Sequence, residues 1–266
     1  MTDNKVFPIL SIAGSDCSGG AGIQADIKTI SAHGCYAMAA ITSLTAQNTL
    51  GVSLVEGVSP RMVSEQIRMV YADIPPLAVK TGMLYGAETV KAVAETLAEL
   101  GVKNLVVDPV MVSTSGSRLI SEDAINNLVT LLFPLAELVT PNRMEAEVLT
   151  GLTDPFDQAD RLIEMGCRNV LIKGGDNDNT DEKSDLLATW SGRRQMFTLP
   201  AIESKNTHGT GCTLSSAIAS HLGRGQSLIE AIENGKRYVF DAIVSAKSMN
   251  IGHGHGPVNH FFGCNF

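Results

Sequence analysis

From one end of the chain to the other, short runs of β-branched and apolar residues alternate with longer amphipathic stretches. That order fits a mostly parallel sheet built from strand–helix–strand units, with helices covering its faces. Strands are predicted over residues 9–13, 37–42, 52–57, 78–80, 104–107, 138–139 and 169–172. Helices are predicted over 22–32, 60–73, 87–100, 121–132, 142–150, 212–221 and 228–246. Pro60 in a first turn and Gly101 just past a last turn punctuate them as helix ends require. Residues 186–190 and 193–199 flank Ser191-Gly192 and read as one short antiparallel hairpin at a sheet edge. The polar run 176–183 is expected to be a mobile loop. With no repeat and no linker, the chain reads as a single α/β domain over residues 1–266.

Composition narrows the function. An apolar fraction of 44% supports a large core, and 28 acidic against 20 basic residues give a net charge of −8. That charge opposes binding to nucleic acid or to an anionic membrane and leaves a small molecule as the expected partner. The five cysteines include no Cys-x-x-Cys pair, no apolar run approaches the ~18 residues of a membrane span, and the first residues lack signal-peptide character. A cytoplasmic enzyme with reduced thiols is expected.

Ligands of open parallel sheets gather beyond the carboxyl ends of the strands. Residues 14–22, Gln47-Asn48, Thr81-Gly82-Met83, Asp108-Pro109, Thr140-Pro141-Asn142 with Glu145, and Lys173-Gly174-Gly175 occupy such positions. In Asn206-Thr207-His208-Gly209-Thr210-Gly211-Cys212-Thr213 the glycines permit a sharp turn into an apolar helix. Backbone N–H groups and the positive helix end then make an anion site, with Thr210 and Thr213 suited to a phosphate. Lys173 at a strand end and the carboxylates Asp108 and Glu145 complete the ingredients of phosphoryl transfer. Mg²⁺ takes one or two carboxylates plus phosphate oxygens and water, which Asp108 and Glu145 can supply.

Competing motifs are weaker. Residues 20–25 match G-x-G-x-x-A, but the loop before them is long and the second strand ends without the acidic residue that holds a ribose, which argues against a nicotinamide-dependent oxidoreductase. The Gly235-Lys236 pair lacks the rest of a Walker A sequence. His253, His255 and His260 sit in a Gly/Pro-rich tail that is expected to pack over a sheet edge rather than bind metal. His208 is expected to position the turn or help bind phosphate.

These blocks resemble the hydroxymethylpyrimidine/phosphomethylpyrimidine kinases of thiamine biosynthesis, in the ribokinase-like superfamily. The resemblance rests on residues 13–16 with 18–26, 45–49, 80–84, 108–111, 140–142 with Glu145, 173–175 and 205–213, nearly the whole chain. It implies a three-layer α/β/α fold without a separate lid domain, a homodimer, and two successive ATP- and Mg²⁺-dependent phosphorylations of a small aminopyrimidine. It further implies substrate contacts at Gln47, Met83, Gly14, Asp26 and Val110. ATP contacts are implied at Lys173, Asn142, Thr207 and His208, metal and phosphate organised by Glu145 and Asp108, and an anion hole at Gly209, Thr210, Gly211 and Cys212. Similar proteins phosphorylate pyridoxal instead; the Gln47 amide, offering a donor and an acceptor, favours the aminopyrimidine, and Met83 offers a soft surface to the ring. A non-catalytic precursor sensor is the reading outside enzymology, opposed by the set Asp108, Glu145, Lys173 and Cys212.

Many ribokinase-like sugar kinases place an aspartate base where this chain has Cys212. A thiol at a helix N-terminus can have a lowered pKa and accept the proton of an alcohol. A neutral thiol, in turn, does not repel a phosphate monoester carrying about −1.5 to −2 charge. Cys212 is thus expected to serve both an alcohol and an anionic phosphate.

Overall fold

A computed structural model describes residues 5–111, 121–174 and 181–264. Nine strands form one sheet: β1 (Pro8–Asp16), β2 (Tyr36–Asn48), β3 (Gly51–Gly57), β4 (Ala78–Thr81), β5 (Leu105–Val107), β6 (Leu138–Val139), β7 (Asn169–Ile172), β8 (Glu182–Thr189) and β9 (Arg194–Pro200). Their spatial order is β3-β2-β1-β4-β5-β6-β7-β8-β9. From β2 to β7 neighbours are parallel; at the edges β3 is antiparallel to β2, β8 to β7, and β9 to β8. The helices are α1 (Gly22–Ala32), α2 (Pro60–Asp73), α3 (Ala87–Glu99), α4 (Glu122–Asn127), α5 (Arg143–Thr150), α6 (Pro155–Glu164), α7 (Thr210–Gly223) and α8 (Leu228–Ala246).

The two-residue period of a strand explains the layers, because successive side chains leave opposite faces of the sheet. Leu10, Val79, Val107, Val139 and Val170 pack with Val63 and Ile67 of α2, Val93 and Leu97 of α3, and Leu162 of α6. Their neighbours Ile9, Ala78, Val106, Leu138 and Leu171 pack on the other face with Ile30 of α1, Leu214 and Ile218 of α7, and Ile232 of α8. Each fully buried aliphatic side chain contributes about 1.5–3 kcal/mol. The expected α/β/α sandwich is therefore a sheet that feeds two cores.

Four details differ from the sequence reading. The β8–β9 hairpin is joined by a second hairpin, β2–β3, because β2 runs on past Thr42 to Asn48 before turning. The helix predicted over 121–132 ends as α4 at Asn127, widens into a π turn over Leu128–Leu132 and then tightens into a 3-10 turn at Phe133–Leu135, where Pro134 has no N–H to continue it. Helix α6, unassigned from periodicity, is started by Asp154, whose carboxylate accepts the N–H groups of Phe156 and Asp157, and by Pro155 in its first turn. In the polar run 176–183, Glu182 and Lys183 belong to β8, and residues 176–180 lie outside the described residues.

Candidate active site

The anion turn is held by contact between two glycine loops. Gly209 has φ +83°, in the left-handed region, and a Cβ there would overlap the carbonyl oxygen of Gly20. Helix α7 begins at Thr210, two residues earlier than periodicity predicts, so Thr210, Gly211 and Cys212 are its first three residues. First-turn N–H groups have no intrahelical acceptor, and the helix adds its positive end. Thr213 faces inward: its Oγ1 donates to Gly209 O at 2.8 Å and lies 3.1 Å from His260 Nε2, which corrects the expectation that it contacts phosphate.

On one side of the turn, β5, β6 and β7 deliver a charged cluster. Lys173 Nζ donates to Asp108 Oδ1 at 2.8 Å and lies 3.9 Å from Glu145 Oε2. A Cβ on Gly211 would sit 3.4 Å from Lys173 Nζ and 3.6 Å from Asp108 Oδ2, so Gly211 brings the helix end against this cluster. Glu145 is fixed by a capping box: Asn142 N donates to its carboxylate at 2.8 Å, and its own N–H donates to Asn142 Oδ1 at 2.8 Å. Burial pushes the Glu145 carboxyl well above its usual range, with Lys173 opposing and Asp108 adding to the shift. Burial also works against the Lys173 ammonium, but Asp108 and Glu145 hold its pKa well above the ordinary value.

On the other side, β1 and β2 deliver a polar clamp. Asp16 accepts from Ser18 N at 2.9 Å, Ser18 Oγ at 2.7 Å, Gly20 N at 3.1 Å and Ala21 N at 2.8 Å, and lies 2.9 Å from His208 Nε2. Although burial opposes it, hydrogen bonds from His208, Ser18 and Ala21 hold this carboxyl far below its usual range. His208 Nε2 also lies 3.1 Å from Gln47 Nε2. His208, expected with the nucleotide, therefore stands at the β1–β2 side, away from Lys173 and Asn142. Thr207, half-buried beside it, accepts Thr210 N at 3.3 Å through its carbonyl.

The remaining candidates divide. A Cβ on Gly14 would lie 2.6 Å from Ser43 Oγ and 2.8 Å from Met83 Cε, so Gly14 lets the half-buried Met83 pack close to β1. Val110 is half-buried, its N–H donating to Asp108 O at 2.9 Å. Asp26 departs from expectation. It is fully buried and accepts from Lys80 Nζ at 2.9 Å, Ser11 Oγ at 2.6 Å and Ser216 Oγ at 2.7 Å, so it is not placed to touch a substrate. Cys212 also departs from the base predicted for it. Burial pushes its thiol up to about 11; Lys80 pulls it down, while Asp26 and Asp108 push it further up. At neutral pH it is a thiol.

Sequence reasoning assigns no individual role to three neighbours. Lys80 lies inside a strand core, where periodicity marks only an apolar face. Ser215 Oγ donates to Asp108 Oδ2 at 3.3 Å from the second turn of α7. Cys17 Sγ donates to Gln47 O at 3.1 Å, tying the first loop to the end of β2. The Gly/Pro-rich tail packs at a sheet edge as expected: His255 N and Gly254 N donate to Thr49 at the β2–β3 turn. Among the described residues no helix is long and apolar enough to cross a membrane, and no group of three or more His, Cys, Asp or Glu side chains is arranged to hold a metal ion.

Comparison with known proteins agrees with the geometry. The family model described as phosphomethylpyrimidine kinase matches residues 16–259. The chain is 50% identical over 260 residues to the thiamine biosynthesis bifunctional protein ThiED of Geobacter sulfurreducens, covering 95% of this chain but 52% of that one, about half its length. It is 48% identical to the hydroxymethylpyrimidine/phosphomethylpyrimidine kinase of Rhizobium meliloti, covering 95% and 96% of the two chains. Among solved structures, the pyridoxal kinase of Staphylococcus aureus in complex with AMP-PCP and pyridoxal superposes with a TM-score of 0.86 at 32% identity, covering 97% of this chain and 94% of that one.

Proposed function

This chain belongs to the phosphomethylpyrimidine kinase family, within the ribokinase-like fold, and on that basis we propose that it carries a phosphoryl group from ATP to a small aminopyrimidine. The first acceptor is the hydroxymethyl group of 4-amino-5-hydroxymethyl-2-methylpyrimidine; the second is the resulting monophosphate. The observation that carries this reading is the convergence of the Gly209–Cys212 turn with Lys173, Asp108 and Glu145 on one side and Gln47 on the other.

Lys173 and the N-terminus of α7 neutralise phosphate charge, and Gly211 allows phosphate oxygens close to the backbone. The donor chemistry fits Mg²⁺. Two buried carboxylates, one strained upward in pKa by burial, suit a cation that takes its remaining ligands from phosphate and water rather than from an all-protein cage. Asp108 and Glu145 would hold it, and it would neutralise charge on the phosphates when bound. Asn142 fixes the Glu145 carboxylate, while Gln47 and Met83 read the ring. In the first step the acceptor oxygen forms a bond to phosphorus as the bond to ADP breaks, and the hydroxyl proton passes to solvent water. In the second step the acceptor is already anionic, and a neutral Cys212 thiol adds no opposing charge.

Pyridoxal is the competing ring substrate, supported by the structural likeness to a pyridoxal kinase. Incubation with Mg-ATP and either ring compound, with products identified by mass, decides between them. A pyrimidine diphosphate is expected; pyridoxal phosphate as the only efficient product overturns the ring assignment. The chain is also proposed to act in the cytoplasm as a homodimer. Leu44 (53% exposed) and Leu54 (63%) share a face of the β2–β3 edge beside Leu50 (68%), an apolar surface suited to a second copy. Light scattering of the purified protein gives the mass that tests this.

A further inference from the structure

Lys80 is among the largest fully buried side chains of the described residues, and it is charged. Both it and Asp26 have side chains that are 0% exposed. Lys80 Nζ donates to both Asp26 oxygens at 2.9 Å, and Asp26 is completed by Ser11 Oγ and Ser216 Oγ. Three elements besides β4 are needed to build this one pair: β1, α1 and α7. Burying such a pair is weak evidence for stability, because well-packed apolar residues usually serve as well or better. Here the surrounding face of the sheet is apolar, with Ile9, Ala78 and Val106 beside it. A purely structural account leaves the charge unexplained.

Its position supplies the explanation. Asp26 lies four residues after Gly22 on α1, and Ser216 lies four residues after Cys212 on α7, so each pair stacks on one helix face. The Asp26–Lys80–Ser216 layer therefore sits one turn beneath the point where the two helix N-termini meet. There the two N-caps touch, since a Cβ on Gly209 would lie 3.3 Å from Ala21 Cα, and Gly22 is among the groups that lower the Cys212 thiol. On the strand side, a Cβ at Gly82 would lie only 2.8 Å from Lys80 Nζ and 3.1 Å from Ala13 Cβ, so glycine leaves the ammonium uncovered in that direction. An ammonium has three N–H donors and Asp26 engages two, and Lys80 makes no other hydrogen bond among the described residues. Lys80 pulls the Cys212 thiol pKa down and Asp26 pushes it up, and the pull is the larger of the two.

We propose that Lys80 is a positioning residue for phosphoryl transfer, a buried cation that Asp26 and Ser216 hold beneath the Gly209–Cys212 turn to stabilise negative charge arriving there. The proposal rests on the kinase reading. In a buried interior this ion pair acts as a fixed dipole that solvent screens little, and it needs no reorganisation when the reaction occurs. It does not touch the reacting atoms.

Two double variants remove both charges without leaving one unpaired: Lys80→Met/Asp26→Asn, and Lys80→Gln/Asp26→Asn, which also keeps hydrogen-bonding groups. Two readouts are taken on whichever folds, as judged by thermal unfolding. The first is kcat and KM for each phosphorylation; kcat is expected to fall about 10- to 100-fold with KM changing by less than about threefold. The second, independent of ATP, is the rate of Cys212 carboxamidomethylation at pH 8.5, read by mass spectrometry of its peptide. Loss of the cation is expected to slow it at least about threefold through a smaller thiolate fraction. A folded variant with wild-type kcat and a wild-type alkylation rate overturns the proposal. If the wild-type protein phosphorylates no ring compound, the kinase reading fails, and the alkylation rates alone judge Lys80.

Discussion

His208 Nε2 lies 2.9 Å from Asp16 Oδ2, and the same nitrogen lies 3.1 Å from the side-chain amide of Gln47. Asp16 is an ionised acceptor saturated by backbone donors, so the Nε2 proton belongs to the His208–Asp16 bond. An imidazole nitrogen that gives its one proton to Asp16 has no lone pair for the Gln47 amide N–H, so the 3.1 Å contact fixes where the amide sits and leaves its donors and acceptor for the ring. His208→Ala is expected to raise the KM for the pyrimidine about tenfold, the loss of roughly one charge-linked hydrogen bond, while kcat changes less. Steady-state kinetics with ring substrate varied tests this; an unchanged KM means that the Gln47 amide is oriented by something else.

The protonated state of Cys212 predicts how the two phosphorylations separate. With its thiol pushed up to about 11, the residue brings no charge to a site already holding Asp26 and Asp108. Cys212→Asp adds a carboxylate that can accept a proton from an alcohol but repels a phosphate monoester. The second phosphorylation is expected to fall at least about tenfold more than the first, measured by following mono- and diphosphate with time. An unchanged ratio of the two rates refutes the charge argument.

Gly209 is predicted to tolerate no side chain. Its φ of +83° is strained for any L-residue, and a Cβ would overlap the Gly20 carbonyl. Gly209→Ala is expected to cost about 2–4 kcal/mol, a Tm decrease of roughly 5–15 °C for a chain of this size. Activity is expected to fall more than about 100-fold, because the turn and the Asp16 loop move together. Differential scanning calorimetry and the coupled ATPase assay check both; a Tm within 2 °C of wild type rules the strain argument out.

How much of this was legible beforehand follows the range of the interactions. Strand–helix alternation is local, so the sandwich and most elements could be read from periodicity, and the β8–β9 hairpin from Ser191-Gly192. The β2–β3 pair was read as two separate strands because the polar residues Thr45, Gln47 and Asn48 interrupt an apolar run without ending the strand. Asp108, Glu145, Lys173 and Gln47 were identifiable because they follow strands or start helices. The sequence does not say what pairs with Asp26: Lys80 is 54 residues away and Ser216 is 190. Nor can a motif weigh burial against a helix N-terminus, which is why Cys212 reads as a lowered thiol and folds as a raised one.

Acid sensitivity is predicted from the histidines on the α1–α7–α8 side. Burial pushes His221 down to about 4, with the charges of His33 and Arg224 adding to the shift, and burial likewise pushes His260 down to about 4. His33 is lowered by burial too and packs edge-on against His221, with ring centroids 4.8 Å apart. A base whose folded pKa lies below the unfolded value of 6.5 leaves the unfolded chain holding more protons between those limits. Stability contributed by these neutral rings is therefore complete above pH 6.5 and is lost as pH falls from 6.5 towards 4. Glu145, raised by burial, works in the opposite sense in part of that window, so the variant His221→Phe isolates one ring. The wild-type Tm is expected to fall between pH 6.5 and 4.5. His221→Phe should lose less over the same interval, since the ring packing persists while the titration, and the burden of a buried Nδ1 without a partner, are gone. Equal pH slopes for the two proteins would show that His221 does not contribute to the loss.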